Sequence, residues 1–368
     1  MSRPRVGAGD RLVVKVGTAS LVDSTGEPDE RRLKALCGGL TRLHRAGAHP
    51  ILVSSGAIAA GLGPLGLDRR PSDIPSLQAA AAVGQRLLLG SYARLLAASD
   101  IVAAQVLLTR YDFMHRQQYL NARNTIDRLL ALKAMPVVNE NDTVAVDEIR
   151  FGDNDMLAAL VANVAHARLL VLLTNARGLH TADPRRNPDA PVVEEVERIT
   201  PELEKAAGGR GSNLATGGMA SKIAAAWVAT FSGVAVIVAD ASEPDVLGRI
   251  ARGEALGTYF HPRSSRASAR QLWIAFARPP TGCVTVDAGA RRAVVEDKRS
   301  LLPAGVTGVA GDFAAGDAVD VGDESGAVFA RGLVRFSASE LDAARGRSTA
   351  EFEGREVIHR DQLVVLED

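Results

Sequence analysis

The chain has 368 residues, of which 46% are hydrophobic and 23% are charged, a composition typical of globular proteins that excludes a disordered chain. Its length exceeds the roughly 250 to 300 residues at which one hydrophobic core stops growing, so we expect two domains. The formal net charge is +0, which argues against a chain-wide surface for nucleic acid or anionic lipid.

Six short apolar runs predict the strands of one sheet. Few polar residues interrupt them, as is typical of strands that are buried on both faces. The runs are 12–16, 50–54, 102–108, 135–139, 169–173 and 235–238.

Longer segments with helical periodicity separate these runs. They are 31–46, 78–98, 117–133, 155–167 and 219–231. The alternation predicts an α/β fold, an open and mainly parallel sheet sandwiched by helices. Ligands of such sheets bind at the carboxyl ends of the strands, so the polar residues that follow each run are the candidates for a functional site.

The last quarter of the chain has a different texture. Glycine and aspartate turns separate short strand-like pieces, which predicts a small β-rich domain. The pieces are 283–286, 294–296, 318–321, 328–333 and 363–366. We place the domain boundary so that the domains span 1–277 and 278–368, with 278–282 as a stiff linker.

The two cysteines and the N-terminal sequence indicate in which cellular compartment the protein resides. Cys37 and Cys283 lie far apart and neither belongs to a Cys-x-x-Cys pair, which excludes zinc-ribbon and thioredoxin-type motifs and predicts buried reduced thiols. The N-terminus lacks the apolar core of a signal peptide, and no apolar run reaches membrane-spanning length. We therefore expect a soluble, cytoplasmic protein that does not associate with membranes.

Lys15 is the first candidate for chemistry. A charged side chain in an apolar strand is costly unless it emerges at the strand end, and Gly17 follows directly, where a glycine lets backbone approach an anion closely. Phosphoryl transfer needs positive charge at such a point. The alternative is an edge-strand lysine that prevents aggregation.

The second run ends in Ser54, Ser55 and Gly56, before a helix of small residues. Free N–H groups at such a turn form a ready anion site, although a capping serine and tight helix packing give the same pattern. A Gly-x-Gly-x-x-Gly match over 61–66 follows a helix rather than a strand, and the chain contains no Gly-Lys pair. These facts exclude a dinucleotide fingerprint and a Walker A loop.

Two polar clusters, 139–142 and 152–155, follow the fourth run. They could hold an ammonium group, Mg²⁺ or lysine side chains. Capping alone does not account for their density of acidic residues, which are Asp142, Asp147, Glu148, Asp153 and Asp155.

Thr174 and Asn175 end the fifth run, and a Gly-Gly pair before the last long helix puts Lys222 in its first turn. This segment is a second candidate phosphate site, although a mobile surface loop has the same composition. The histidines show no metal-ligand spacing, so we predict no protein metal site.

In this order the motifs resemble the amino acid kinase family over essentially the whole chain, and within it the enzymes that phosphorylate glutamate. The C-terminal segment is similar to the PUA domain that many of these enzymes carry. The motifs that carry the resemblance are 14–18, 54–58, 108–110, 120–123, 139–142, 152–155, 178–185 and 216–222.

The resemblance implies an ATP-dependent kinase that phosphorylates the γ-carboxylate of L-glutamate, the first step of proline synthesis. It also implies Mg²⁺ bound mainly through the nucleotide, feedback by proline, and a homo-oligomer, either dimer or tetramer. The product, L-glutamyl 5-phosphate, would pass to glutamyl phosphate reductase.

The resemblance also assigns roles to residues. The catalytic set is Lys15, Lys222 and Asp155, with Asp155 holding both lysines, and N–H groups of Gly17 and Gly56 meet the phosphoryl oxygens. The glutamate site is Ser55, Asp142 and Asn154, with Asp142 pairing with the α-ammonium group. The nucleotide site is Lys15, Thr174, Asn175, Thr216, Gly217, Gly218, Met219, Ala220, Ser221 and Lys222.

Two positions depart from the family pattern. Asn175 stands where the family usually has Asp, and His180 where it usually has Tyr. The first departure removes a negative charge near the nucleotide but leaves backbone contacts unchanged.

Two alternative functions remain open at this stage. One is a kinase of the same fold for aspartate, acetylglutamate, carbamate or a nucleoside monophosphate, against which the pair Asp142 and Asn154 and the appended domain favour glutamate. The other is RNA binding through the C-terminal domain. Residues 281–368 contain 10 Lys and Arg against 16 Asp and Glu, a net charge of −6, which makes RNA binding unfavourable.

Overall fold

The computed structural model describes residues 3–21, 29–145, 154–182, 187, 189–200, 203, 218–264, 267–277, 280–352 and 354–367. The chain divides into two compact units, Met1–Arg266 and Ala267–Asp368. Residues 278 and 279 lie outside the described part, and the domain boundary between 277 and 278 stays a prediction.

The first unit contains one eight-stranded sheet with the order β3-β4-β2-β1-β5-β7-β8-β6. The first six strands in this order are parallel, and β8 runs antiparallel to β7. This confirms the predicted mainly parallel sheet. The strands are β1 (Arg11–Val16), β2 (His49–Val53), β3 (Ala103–Leu108), β4 (Met135–Glu140), β5 (Leu169–Thr174), β6 (Glu195–Val196), β7 (Ala235–Asp240) and β8 (Thr258–Phe260).

Helices cover both faces of this sheet. Asp29 and Asp73 accept hydrogen bonds from backbone N–H groups at the starts of α1 and α3, which explains where those helices begin. Among the described helices, none is both long and apolar enough to cross a bilayer. The helices are α1 (Glu30–Arg45), α2 (Ala57–Leu62), α3 (Ile74–Ala97), α4 (Arg110–Met114), α5 (Arg116–Ala131), α6 (Asp155–Val164), α7 (Met219–Phe231) and α8 (Val246–Ala251).

The side chains of β1 point alternately to the two faces of the sheet. Leu12, Val14 and Val16 belong to the core that also contains the apolar side chains of α1, α2 and α3. Successive side chains of a strand point to opposite faces, so Val13 and Lys15 point to the other face, where Lys15 meets α6. Lys15 therefore brings a charged side chain into the layer between the sheet and α6.

Helices α2 and α3 touch through their backbones. A Cβ atom built on Gly61 would lie 1.8 Å from the carbonyl oxygen of Ala80, and one built on Gly84 would lie 1.8 Å from that of Ala57. Only glycine fits at these two points. The tight helix packing weighed as an alternative for the Ser54–Gly56 segment is therefore present, and it fixes α3 against the turn that follows β2.

The second unit has its own core and a five-stranded sheet with the order β10-β9-β11-β12-β13, in which β9 and β11 are parallel and the other neighbours antiparallel. This confirms the small β-rich domain. Its elements are α9 (Ala269–Leu272), β9 (Gly282–Val286), α10 (Ala288–Val295), β10 (Val306–Gly311), β11 (Ala318–Asp323), β12 (Val328–Leu333), α11 (Ala338–Ala344) and β13 (Leu363–Val365).

The strand predicted at 294–296 is wrong. Val294 and Val295 end α10, and Asp287 caps the start of that helix by accepting a hydrogen bond of 2.7 Å from the backbone N–H of Ala290. The two valines favour a strand by propensity alone. The cap and the burial of Val294 in the core of the second unit outweigh that preference.

The contact between α2 and α3 predicts the outcome of two substitutions in one helix. Gly84→Ala forces a methyl group onto the backbone of α2, and we expect it to lower the free energy of unfolding by about 3 kcal/mol. Gly90→Ala, also in α3, meets nothing within 4 Å and should raise it by about 0.5–1 kcal/mol. Urea denaturation of both variants measures the difference, and equal effects would contradict the close contact.

Candidate active site

Three charged side chains meet beneath α6 and α7. Lys15 Nζ lies 2.5 Å from Asp155 Oδ1, and Lys222 Nζ lies 3.0 Å from Asp155 Oδ2. Lys15 is 2% exposed, Lys222 is 4% exposed and Asp155 is 0% exposed. We call these three residues the lysine–aspartate cluster. One buried carboxylate thus lies between two buried ammonium groups.

Each member of the cluster comes from a different element. Lys15 is on the central strand β1, Asp155 is the first residue of α6, and Lys222 is in the first turn of α7. The positive end of the α6 dipole stabilises the Asp155 carboxylate. Ser221, next to Lys222, places its Oγ 2.9 Å from Asp155 Oδ2. The start of α7 is therefore tied to the start of α6.

The alternative interpretation of Lys15 as an edge-strand lysine is wrong, because β1 lies between β2 and β5 in the middle of the sheet. Taking charges out of water costs several kcal/mol per ion, so a buried ion pair is a poor means of stabilising a fold. Two ammonium groups held side by side at a strand end suit the binding of an anion.

Gly17 lies next to the cluster, and Gly56 lies against Thr18, the residue that follows Gly17. A Cβ atom on Gly17 would lie 3.8 Å from Lys15 Nζ, so any side chain there would occupy space beside the ammonium group. Gly56, with φ of 95°, precedes α2, and a Cβ atom on it would lie 3.4 Å from Thr18 Cγ2. Bare backbone on both turns leaves room for an anion to approach N–H groups.

A polar network joins the ends of β2 and β4 to the start of α6. Asn154 donates from Nδ2 to Asn139 Oδ1 and to the carbonyl of Ser54, both at 2.5 Å. Asn139 in turn donates from Nδ2 to Gln85 Oε1 at 3.0 Å. Both amide hydrogens of Asn154 are thus used by the protein, which leaves its Oδ1 as the acceptor for a ligand.

Ser55 carries a buried hydroxyl group. Its Oγ makes no hydrogen bond to any residue that the structure describes, although the side chain is only 4% exposed. A buried hydroxyl without a partner costs about 1–3 kcal/mol. A ligand that supplies a hydrogen bond here would recover that free energy.

Asp142 follows β4 and is half-buried. Burial raises the pKa of its carboxyl group from 3.8 to about 6, while Arg70 and a hydrogen bond from Gln85 partly oppose the rise. A carboxylate whose pKa is raised by burial would gain from a cationic partner such as an ammonium group.

The residues expected at the nucleotide lie at the same edge of the sheet. Thr174 ends β5 and Asn175 follows it, exposed, with 3.4 Å between Thr174 Oγ1 and Asn175 Oδ1. Gly218 precedes α7, and Met219 and Ala220 begin it. Thr216 and Gly217 lie outside the described residues, as do Asp147, Glu148, residues 151–153 and residues 183–186.

His180 makes a hydrogen bond to the backbone ten residues later in the chain. Its Nδ1 lies 2.7 Å from the carbonyl oxygen of Ala190, so this nitrogen carries the hydrogen and donates it. Within the described part of the chain, no three His, Cys, Asp or Glu side chains come together as metal ligands.

Two glutamines of α3 belong to the site and were missed by the sequence analysis. Gln85 Nε2 donates to the carbonyl of Glu140 at 2.9 Å, and Gln78 Nε2 donates to the carbonyl of Ala145 at 3.2 Å. The only sequence signal was their spacing of seven residues, which places both on one face of a helix. Their partners become visible only in the folded chain.

Comparison with known proteins shows the family of each part of the chain. Residues 10–240 match the amino acid kinase family, and residues 282–354 match the PUA domain.

Similar proteins of known name cover nearly the whole chain. The glutamate 5-kinase of Frankia casuarinae is 50% identical over 99% of this chain and 99% of that protein. The glutamate 5-kinase of Myxococcus xanthus is 48% identical over 97% and 96%, and that of Mycobacterium tuberculosis H37Rv is 48% identical over 96% and 94%. A crystal structure of UMP kinase from Bacillus anthracis shares the fold, with a TM-score of 0.50 at 15% identity over 70% of this chain and 99% of that chain.

The lysine–aspartate cluster predicts a large effect of one neutral substitution. Asp155→Asn removes the buried carboxylate that both ammonium groups contact, so we expect the free energy of unfolding to fall by about 3–5 kcal/mol. Asp127→Asn is the matched control, since Asp127 pairs with Arg11 at the surface, where an ion pair contributes about 0–1 kcal/mol. Urea denaturation at pH 7 compares them, and similar losses would contradict the special position of Asp155.

Proposed function

The chain belongs to the amino acid kinase family, and from that membership and the geometry of its site we propose that it transfers the γ-phosphoryl group of ATP to the γ-carboxylate of L-glutamate. The product is L-glutamyl 5-phosphate, and the reaction is the first step of proline synthesis from glutamate. The lysine–aspartate cluster is the observation that carries the proposal.

The cluster supplies what phosphoryl transfer requires. Negative charge gathers on the transferring oxygens, and catalysis consists mainly of positioning and of positive charge set in advance. We assign Lys15 and Lys222 to those oxygens. Asp155 acts through them as a positioning residue, because each of its carboxylate oxygens holds one ammonium group.

Gly17 and Gly56 complete the phosphoryl site. We assign their backbone N–H groups to the phosphoryl oxygens. The space beside Lys15 Nζ, which a side chain at position 17 would occupy, supports this assignment.

Asp142, Asn154 and Ser55 are the proposed glutamate site. The carboxylate of Asp142 pairs with the α-ammonium group, which supplies the cation that its burial calls for. Asn154 offers Oδ1, the atom that its own hydrogen bonds leave available. Ser55 offers its hydroxyl to a substrate oxygen.

The chemical step is an in-line displacement. An oxygen of the γ-carboxylate attacks the γ-phosphorus, the bond from this phosphorus to the β–γ bridging oxygen breaks, and ADP leaves with that electron pair. A carboxylate is already ionised at pH 7, so the step needs no general base. This accounts for a site built from lysines and backbone rather than histidine.

ATP lies along Thr174, Asn175 and the segment 216–222 in this proposal. Asp155 gives both oxygens to lysines, which fits a site where Mg²⁺ enters mainly on the nucleotide phosphates rather than on protein ligands. When bound, Mg²⁺ offsets phosphate charge. Asn175 contributes a neutral amide where the family usually has a carboxylate, so ATP depends there on backbone contacts.

An acyl phosphate is labile in water, which favours rapid consumption by a reductase, and we include glutamyl phosphate reductase as the downstream partner. We also propose a cytoplasmic homo-oligomer, dimer or tetramer, with feedback by proline. The acidic C-terminal PUA domain, with 10 Lys and Arg against 16 Asp and Glu over 281–368, serves assembly or feedback rather than RNA binding.

Trapping of the acyl phosphate with hydroxylamine tests the reaction. We expect hydroxamate from glutamate plus ATP, and little from aspartate or N-acetylglutamate, because neither offers the ammonium group and the γ-carboxylate together. UMP should not stimulate ADP release. Absence of hydroxamate with glutamate would refute the proposed function.

The same assay tests Lys15. Removing one pre-set positive group from the phosphoryl site typically costs about 10²–10³-fold in kcat, and we expect at least this loss in Lys15→Met. Lys34→Met is the control, since Lys34 pairs with Glu30 on the surface of α1. Retained turnover in Lys15→Met would exclude its central role.

The pKa of Asp142 predicts a pH dependence. Only the ionised carboxylate pairs with the α-ammonium group, and its pKa is raised from 3.8 to about 6, so kcat/KM for glutamate should fall about tenfold per pH unit below pH 6 and level off above pH 7. Asp142→Asn should show a low kcat/KM without this limb. A wild-type profile that stays flat down to pH 5 would contradict the assignment.

A further inference from the structure

Two glutamines of α3 hold the segment that carries Asp142 at both of its ends. Gln85 donates to the carbonyl of Glu140, where β4 ends, and Gln78 donates to the carbonyl of Ala145, five residues later. The two glutamines are seven residues apart on one helix face, about 10 Å along the axis. The segment 140–145 is therefore anchored to α3 by one hydrogen bond at each end.

Gln85 connects the two halves of the proposed glutamate site. Its Oε1 accepts from Asn139 Nδ2, and Asn139 Oδ1 accepts from Asn154 Nδ2. Its side chain also lowers the pKa of the Asp142 carboxyl group, which burial raises. One side chain thus bears on both Asp142 and Asn154.

The helix that carries these glutamines is itself fixed. Gly84, the residue before Gln85, touches the backbone of α2 at Ala57, and Ala80 touches it at Gly61. A shift of α3 along its axis would drive backbone into backbone. The carboxamide of Gln85 therefore has a defined place relative to the turn at Gly56.

From these contacts we propose that Gln85 and Gln78 are positioning residues of the amino acid site: they hold residues 140–145 so that the Asp142 carboxylate faces the substrate's α-ammonium group. The inference rests on the proposed function, because it takes the ammonium group of glutamate as the partner of Asp142.

The neutrality of the amide is part of the argument. A lysine or arginine at position 85 would pair with Asp142 and compete with the substrate. A glutamate there would repel the Asp142 carboxylate and disfavour its ionised form. A neutral glutamine leaves the negative charge of the Asp142 carboxylate for the ligand.

Other charges also act on Asp142. Among the described residues, Arg70 favours the ionised form, and Glu140 lies two residues earlier at the end of β4. Substitutions of Gln85 and Gln78 leave both in place. A change in the pH profile of such variants therefore reports on the glutamines.

The test separates KM from kcat in Gln85→Met and Gln78→Met. We expect KM for glutamate to rise about tenfold in the first and about threefold in the second, with kcat within about threefold and KM for ATP within about twofold of wild type, since each hydrogen bond contributes modestly. Gln271→Met is the matched control, because Gln271 in α9 also uses its carboxamide on a backbone group, the N–H of Ser268.

The pH profile adds a readout that a purely structural role would not move. In Gln85→Met the acid limb of kcat/KM for glutamate should shift to higher pH by up to about one unit, because the Gln85 carboxamide no longer lowers the pKa of Asp142. Gln85→Glu, nearly isosteric, should shift it further. Gln78→Met should leave the limb unshifted while still raising KM.

Three outcomes would overturn the inference: an unchanged glutamate KM in Gln85→Met, an unshifted acid limb in both Gln85 variants, or an equal rise of KM for ATP and for glutamate. If Gln85→Met does not fold, Gln85→Glu and Gln78→Met decide on the same criteria. Failure of the proposed function looks different, because the wild-type protein would then give no hydroxamate with glutamate.

Discussion

One carboxylate, that of Asp155, sets the geometry on which the site depends. Two ammonium groups approach it from different elements, one from the middle of the sheet and one from the start of α7, and none of the three charges has access to bulk water. Such a group is costly to bury. The cost is consistent with a site in which two lysines meet an anionic group, so the arrangement reflects chemistry more than stability.

Much of the fold was predictable from the sequence, for reasons visible in particular segments. The run at 169–173 is apolar throughout because β5 is buried on both faces, and the helix at 219–231 was located to the residue because Gly218 marks its start. The strand predicted at Val294 was wrong, because the strand preference of this one residue is outweighed by the Asp287 cap and by burial in the core of the second unit. The two-residue β6 and three-residue β8 carry too little pattern to be found.

The candidate site was likewise predictable from the sequence only in part. Lys15, Asp155 and Lys222 stood out because charged residues at the ends of apolar runs need an explanation, and a family resemblance supplied one. The depth at which they meet, the raised pKa of Asp142 and the links made by Gln85 arise only when distant segments pack together. Hydrogen bonds between side chains and remote carbonyl groups leave no periodic signal in a sequence.

The contact between α2 and α3 has a consequence for engineering. Gly61 and Gly84 tolerate no added side-chain atom, so α2 and α3 form a rigid pair, and substitutions at these two glycines are not useful in a library of variants. Gln78 and Gln85 project from α3 toward the segment that carries Asp142. A search for enzymes that accept other amino acid substrates should randomise these two glutamines and keep the glycines behind them unchanged.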